Sequence, residues 1–279
     1  MKTVNERKVH LVGAGPGDPE LLTVKAHALL SSAELILHDD LVTAPILALA
    51  SPQAMVVNVG KRCGVKKITR FDASDLPVQI AGEVQDFNEL DWLDAKEMKH
   101  VSRCVPLAIA ASTEALSDAG IDPAKLSLDE KREIGVALGT GGGANDFTDH
   151  QYHLYYQGKI KQVSIFTIPS GTMGTMSSEV SMRFGFRGLS HVVTSGCTSS
   201  TDAIAYATRQ IQLGTQPVML VGGVDSPLAW GIVKAFTLMR IMTDKWNDEP
   251  ERGSRPFNAD RDGFVLAEGS WMFVLEDYD

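Results

Sequence analysis

The stretch from His191 to Gly214, HVVTSGCTSSTDAIAYATRQIQLG, carries the residue with the clearest chemistry, Cys197. A β-branched run (Val192, Val193, Thr194) leads into Ser195-Gly196-Cys197, and a helical pattern follows with Ala203, Ile204, Ala207 and Ile211 on one side. This predicts strand, sharp turn and helix, with a thiol at the bend. A cysteine there meets the positive end of the helix dipole and unpaired backbone N–H groups. Both stabilise a thiolate, whose free pKa is about 8.5. The turn is the thiol counterpart of a nucleophile elbow. A buried structural cysteine in a strand-to-helix connection fits the same pattern.

Other residues offer weaker chemistry. Gly139-Thr140-Gly141-Gly142-Gly143 follows a predicted strand, Glu133 to Leu138, and marks backbone that passes close to something. A phosphate could sit there, but no Lys-Ser or Lys-Thr follows as in a Walker loop. Packing against another subunit is the preferred reading. His150 and His153 lie three apart without a third ligand at metal spacing, so a solvated or capping role is expected. Arg255, Asp260, Arg261 and Asp262 form a charged turn that could meet substrate; charge-assisted fixing of the loop is preferred.

These residues need elements to hold them. Pro217 to Gly223 (PVMLVGG) is a near-continuous apolar run, as in a strand buried on both faces. The helix after Cys197 is then a crossover between parallel strands. Ala95 to Ala119 predicts an amphipathic helix closed by Gly120; Cys104 lies inside it and reads as packed. Val78 to Val84 reads as a strand broken by Gly82, and Gly263 to Leu266 and Trp271 to Leu275 as later strands. A helix is expected through Ala235, Phe236, Leu238 and Met239. The first residues repeat the α/β theme: a strand at Lys8 to Val12, a Gly/Pro turn at Gly13 to Pro19, a helix at Glu20 to Ser32, a strand at Glu34 to Leu37 and a helix at Ala44 to Ala50. Pro16 and Pro19 break the dinucleotide fingerprint.

Composition bounds the reading. The 279 residues are 44% hydrophobic with a net charge of −9, a globular composition whose acidity argues against nucleic acid as main partner. No run approaches the roughly 18 apolar residues of a membrane span. The three cysteines, Cys63, Cys104 and Cys197, are no disulfide framework. With no apolar leader in MKTVNERKVHLVGAG, a reducing, cytoplasmic setting is expected.

Two family resemblances follow. VHLVGAGPGDPELLTVKAHALLSSAELILHDDLV resembles the start of uroporphyrinogen-III C-methyltransferases and related tetrapyrrole methylases. It implies that Gly13 and Gly15 border an S-adenosylmethionine and substrate cleft and that Asp39 matches an Asp implicated in catalysis; His38 replaces the family's Tyr. Val59-Gly60-Lys61-Arg62 also fits, but the later Gly-Gly-Asp-Pro cofactor loop is absent. From about residue 66 the chain resembles the N-terminal half of elongating β-ketoacyl-acyl-carrier-protein synthases, through ITRFDASDLPVQIAGEVQDFN, Ser195 to Ser200, Arg255-Pro256-Phe257 and Asp260 to Val265.

The second resemblance implies an α/β thiolase-like half, a mixed sheet with covering helices, over residues 64–279. The first resemblance implies a tetrapyrrole methylase-type β-Gly-loop-α segment over residues 1–63, with a seam near Cys63-Gly64; the second goes further. It makes Cys197 the acyl acceptor in a decarboxylative Claisen condensation of fatty acid or polyketide elongation, and its N–H one oxyanion donor. Phe236, Thr172 and Met173 are expected to border the acyl pocket. Acyl-carrier protein is the expected partner, substrates ride on its phosphopantetheine, and no free cofactor or metal is expected. The family's two histidines, lysine and gating phenylalanine belong to its C-terminal half. None of the seven histidines here follows Cys197. The expectations are therefore an incomplete synthase limited to the first acyl transfer, a homodimer or a partner supplying the other half, and self-association through exposed apolar surface. The alternatives are a methyltransferase fragment using S-adenosylmethionine, a non-catalytic partner subunit, and a fragment or mis-joined frame.

Overall fold

The computed structural model describes residues 19–38, 42–58, 64–256 and 258–277. The chain divides into two units, Met1–Cys63 with Arg255–Arg261, and Gly64–Ser254 with Asp262–Asp279. In the first, α1 (Val24–Ser32) starts where the Thr23 hydroxyl accepts from the Ala26 N–H. The predicted helix from Glu20 therefore begins later, after a 3-10 turn at Pro19–Leu21. Strand β1 (Leu35–His38) pairs in parallel with β2 (Met55–Asn58), and α2 (Ala44–Leu47) lies between them in sequence. The expected strand at Lys8 to Val12, and Gly13, Gly15 and Asp39, lie outside the described residues.

The second unit is built on a four-stranded mixed sheet. Its order is β6 (Ser190–Val193), β5 (Ile134–Gly139), β7 (Val218–Asp225), β8 (Gly269–Glu276). The first three strands are parallel and β8 is antiparallel to β7. Side chains along β5 and β7 alternate between two packing environments, as strand geometry requires. Val136, Leu138, Leu220 and Val224 pack with α3 (Cys104–Asp118) and α7 (Thr175–Phe184). Ala137, Met219 and Val221 pack with Ala203 and Ala207 of α8 (Ser199–Gln212). Both faces of β7 are thus covered, which is why its sequence is an apolar run. Fully burying each Leu, Met or Val there is worth about 1.5–3 kcal/mol.

The remaining elements frame this core. A short pair, β3 (Val65–Lys67) and β4 (Ile80–Gly82), is antiparallel. Helix α4 (Leu128–Arg132) opens with a capping box between Ser127 and Glu130. Helices α5 (Asn145–Tyr156) and α6 (Thr167–Gly171) precede α7, and α9 (Trp230–Leu238) follows β7. A second core joins Leu76, Val78, Ile80, Val233, Met242 and Leu266. No helix of the described residues is long and apolar enough to cross a membrane.

Two expectations about elements are corrected. Helix α3 starts at Cys104, not near Ala95. Asp94 instead accepts from the Lys96 and Glu97 N–H groups, and Asp146 accepts from the Ser102 hydroxyl and the Arg103 N–H. Between these contacts the chain makes only a separate 3-10 turn, Glu97–Lys99, and the side-chain acceptors satisfy backbone N–H groups ahead of α3. Gly263 to Leu266 is not a strand: Phe264 makes a single bridge to Met242, while Leu266 is drawn into the second core.

Candidate active site around Cys197

Strand β6 ends at Val193, and one 3-10 turn, Gly196–Thr198, carries Cys197 into α8. Gly196 adopts φ +77°, a left-handed conformation that disfavours any side chain. The Cys197 thiol is exposed, so the buried structural reading does not describe it. The bend is fixed by its neighbours. The Ser195 N–H donates to Ser199 Oγ (2.9 Å), whose hydroxyl donates to the Gly196 carbonyl (2.6 Å). Ser195 and Thr198, on either side of the cysteine, both donate to Asp202 Oδ2 on the first turn of α8. Four polar side chains close to the thiol in sequence thus define the turn that presents it.

Close approach to the sheet seats the start of α8. A Cβ on Gly139 of β5 would lie 2.3 Å from the Ser199 carbonyl carbon, and one on Gly223 of β7 would lie 1.9 Å from Ser200 Oγ. Real side chains do not fit such gaps, so these two glycines let the helix N-terminus rest on the parallel strands. Cys197 follows the C-terminal end of β6, the end at which open α/β sheets gather their ligands.

The glycine cluster is explained within the chain. The Gly141 and Gly142 N–H groups and the Thr140 hydroxyl all donate to the Asp225 carboxylate at the end of β7, at 2.7–3.1 Å. An internal carboxylate thus occupies the N–H groups that a phosphate would need. Gly141 faces the Gly196 carbonyl, whose oxygen would lie 3.4 Å from a Cβ added at Gly141.

Cys104 is fully buried, its thiol donating to the Gly143 carbonyl at 3.4 Å. Burial foremost, with Asp146 adding repulsion, pushes that thiol well above its ordinary value, so it remains protonated and inert. Cys197 is the exposed one of the two described cysteines. His153 pairs with Gln157, the residue that caps its helix, and no metal-holding group of His, Cys, Asp or Glu occurs among the described residues.

The expected pocket residues fall in different places. Met173 packs against the main core and against Gly143, a Cβ on which would lie 2.9 Å from Met173 Cγ, so it adjoins the glycine loop. Thr172 is exposed and closes α6, its hydroxyl donating to the Ile168 carbonyl. Phe236 packs into the second core, edge-on to Phe264 at 5.8 Å. In the charged turn, Arg255 pairs with Asp260 within the first unit, while Asp262 of the second accepts from the Thr243 hydroxyl at 2.7 Å. Both contacts fix loops, as preferred from sequence.

A buried ion pair joins residues far apart in the chain and leaves no signal in the local sequence. Arg103, 6% exposed, makes a two-pronged contact with Glu268 (2.8 Å from Nε and Nη2) and also pairs with Glu89. Glu268 further accepts from the Ser226 hydroxyl and the Val84 N–H. Burial tends to raise the Glu268 carboxyl, but the Arg103 and Ser226 hydrogen bonds and the Arg103 charge outweigh it and hold the carboxyl below its ordinary range. Ser226 directly follows Asp225, so this buried ion pair anchors the end of the strand that grips the glycine loop.

The chain belongs to the β-ketoacyl synthase family: the model of that family's N-terminal domain matches residues 57–279. A model of tetrapyrrole (corrin/porphyrin) methylases matches residues 8–100, overlapping the first match. Among curated relatives, 3-oxoacyl-[acyl-carrier-protein] synthase 2 of Rhizobium meliloti is 37% identical over 222 residues, covering 77% of this chain and 52% of the relative. The tetracenomycin polyketide synthase ketoacyl synthase alpha subunit of Streptomyces glaucescens is 34% identical, covering 77% and 51%. A solved β-ketoacyl synthase from Burkholderia phymatum aligns with TM-score 0.65 and 29% identity, covering 78% of this chain and 53% of that one. The thiolase-like α/β architecture is therefore shared, and the chain spans about half the length of the curated relatives it matches.

Proposed function

We propose that this chain supplies the acyl-accepting half of a β-ketoacyl-acyl-carrier-protein synthase. The observation that carries the reading is the exposed Cys197 on a fixed turn between a parallel strand and a helix, in a family whose relatives bear that activity in their names. The Cys197 sulfur attacks the thioester carbonyl of an acyl group borne on carrier-protein phosphopantetheine. The carrier thiolate leaves and takes a proton, and an acyl-enzyme thioester remains. N–H groups at the α8 N-terminus are suited to the developing oxyanion. Condensation with a malonyl unit, with loss of carbon dioxide, is the family reaction this step serves.

The finer assignments belong to the same reading. Met173, Thr172 and Phe236 border the acyl chain, acyl-carrier protein is the partner, and no free cofactor is used. The protein works as a homodimer or with a partner chain in the cytoplasm, with residues 1–63 and 64–279 as its two parts. The test is treatment of the full chain with acyl-carrier-protein thioester, then hydroxylamine. A hydroxylamine-labile adduct is expected on wild type and not on Cys197→Ala; a label of equal size on both would overturn the assignment. The match over residues 8–100 favours a second reading, S-adenosylmethionine binding by Gly13, Gly15 and Asp39. Calorimetric titration with S-adenosylmethionine decides it: saturable heat that falls in Asp39→Ala supports a methyltransferase segment, and no heat removes it.

A further inference from the structure

We propose that Asp225 is a positioning residue for Cys197, its carboxylate holding the Thr140–Gly142 loop as the shelf against which the Cys197 turn rests. The inference depends on reading Cys197 as the acyl acceptor. It starts from the convergence of donors. Asp225 Oδ1 accepts from Thr140 Oγ1 at 2.9 Å, from the Gly142 N–H at 2.7 Å and from the Gly141 N–H at 3.1 Å; Oδ2 also accepts from Gly141 at 3.0 Å. Consecutive backbone N–H groups aimed at one point form an anion-binding nest. Here the anion is supplied by the neighbouring strand.

The nest also faces the turn. A Cβ added to Gly141 would meet the Gly196 carbonyl oxygen at 3.4 Å, and Gly196 is the left-handed residue that immediately precedes Cys197. The same loop is held from its other side, where the Gly143 N–H donates to Thr140 Oγ1 at 2.8 Å and Cys104 donates to the Gly143 carbonyl. The carboxylate is the only charged group in this chain of contacts. Without it, two N–H groups and a buried hydroxyl lose their shared acceptor. The loop is then free to shift away from Gly196, and the thiol loses its fixed place at the start of α8. Asp225 touches no reacting atom and acts through the loop.

An anion nest emptied by mutation accepts a small anion from solution, which gives a test that a merely structural role would not satisfy. Asp225→Ala leaves room for formate; Asp225→Asn keeps the volume filled and turns an amide donor toward N–H donors. Two rates are measured on the full 279-residue chain: alkylation of Cys197 by iodoacetamide, mapped by peptide mass, and acyl uptake from acyl-carrier-protein thioester. Loss of charge-assisted hydrogen bonds predicts both rates about tenfold slower in either variant. Formate restores the rates saturably in Asp225→Ala and not in Asp225→Asn. Wild-type rates in Asp225→Ala, or slow rates that formate leaves unchanged, overturn the proposal. If wild type takes up no acyl group, the acyl-acceptor reading fails, while the alkylation rates still decide whether Asp225 positions the thiol.

Discussion

Replacing Glu268 by Gln removes one charge from the most enclosed ion pair described in the chain, and the structure sets what that costs. The Glu268 side chain is fully buried and accepts hydrogen bonds from Arg103 (two), from Ser226 and from the Val84 N–H. Breaking a buried pair on one side costs about 3–5 kcal/mol, because the surviving charge stays desolvated. Glu89 remains beside Arg103 as a second counter-charge, which places the expected loss at the lower end, about 3 kcal/mol. With a urea dependence of about 1–3 kcal/mol per molar, the unfolding midpoint at neutral pH should fall by at least about 1 M. The pH dependence follows from the lowered carboxyl. A folded-state pKa below the unfolded value of about 4.3 gives stability that is fully present above that value. It is lost as pH falls through the folded-state pKa. The gap between wild type and Glu268→Gln should therefore close in acid. Unfolding curves for both proteins at several pH values make the measurement. A variant within about 0.5 kcal/mol of wild type at neutral pH, or a gap that persists in acid, would refute the reasoning.

Other outcomes follow from single contacts. Gly139→Ala places a methyl 2.3 Å from the Ser199 carbonyl carbon; overpacking of about 1–3 kcal/mol should appear as a lower melting temperature, with a changed Cys197 alkylation rate as the α8 N-terminus moves. Asp146 behaves oppositely to Glu268, because burial outweighs the Ser102 and Arg103 donors and raises its carboxyl. Its contribution is present below the unfolded value and lost as pH rises through the folded one. Asp146→Asn should therefore gain stability relative to wild type on going from acid to neutral pH, in paired unfolding curves. Tyr156, Ile165 and Ile168 are 81%, 87% and 71% exposed, an apolar display that favours association; light scattering should show species larger than one chain, and a monodisperse monomer at all concentrations would contradict this.

Much of this was legible in local sequence. The apolar run of β7, the strand–turn–helix at Cys197 and the left-handed glycine after α3, Gly120, each depend on neighbours within a few residues. Helix α3 starts later than its apolar spacing predicts, because that spacing says nothing of Asp94 and Asp146, which take N–H groups ahead of it. A glycine cluster signals a close approach but does not name its occupant. Asp225 lies 83–85 residues away, and an acidic residue ending an apolar strand carries no sign of what it holds. The Arg103–Glu268 pair spans 165 residues and is equally silent, since a buried charge looks the same as an exposed one until its partner is placed.

The central claim is that Cys197 accepts an acyl group. Intact-mass measurement after incubation of the full chain with acyl-carrier-protein thioester, beside Cys197→Ala, tests it most directly. The account predicts a gain equal to one acyl group on wild type and none on the variant. No gain on wild type, or the same gain on both, would contradict it.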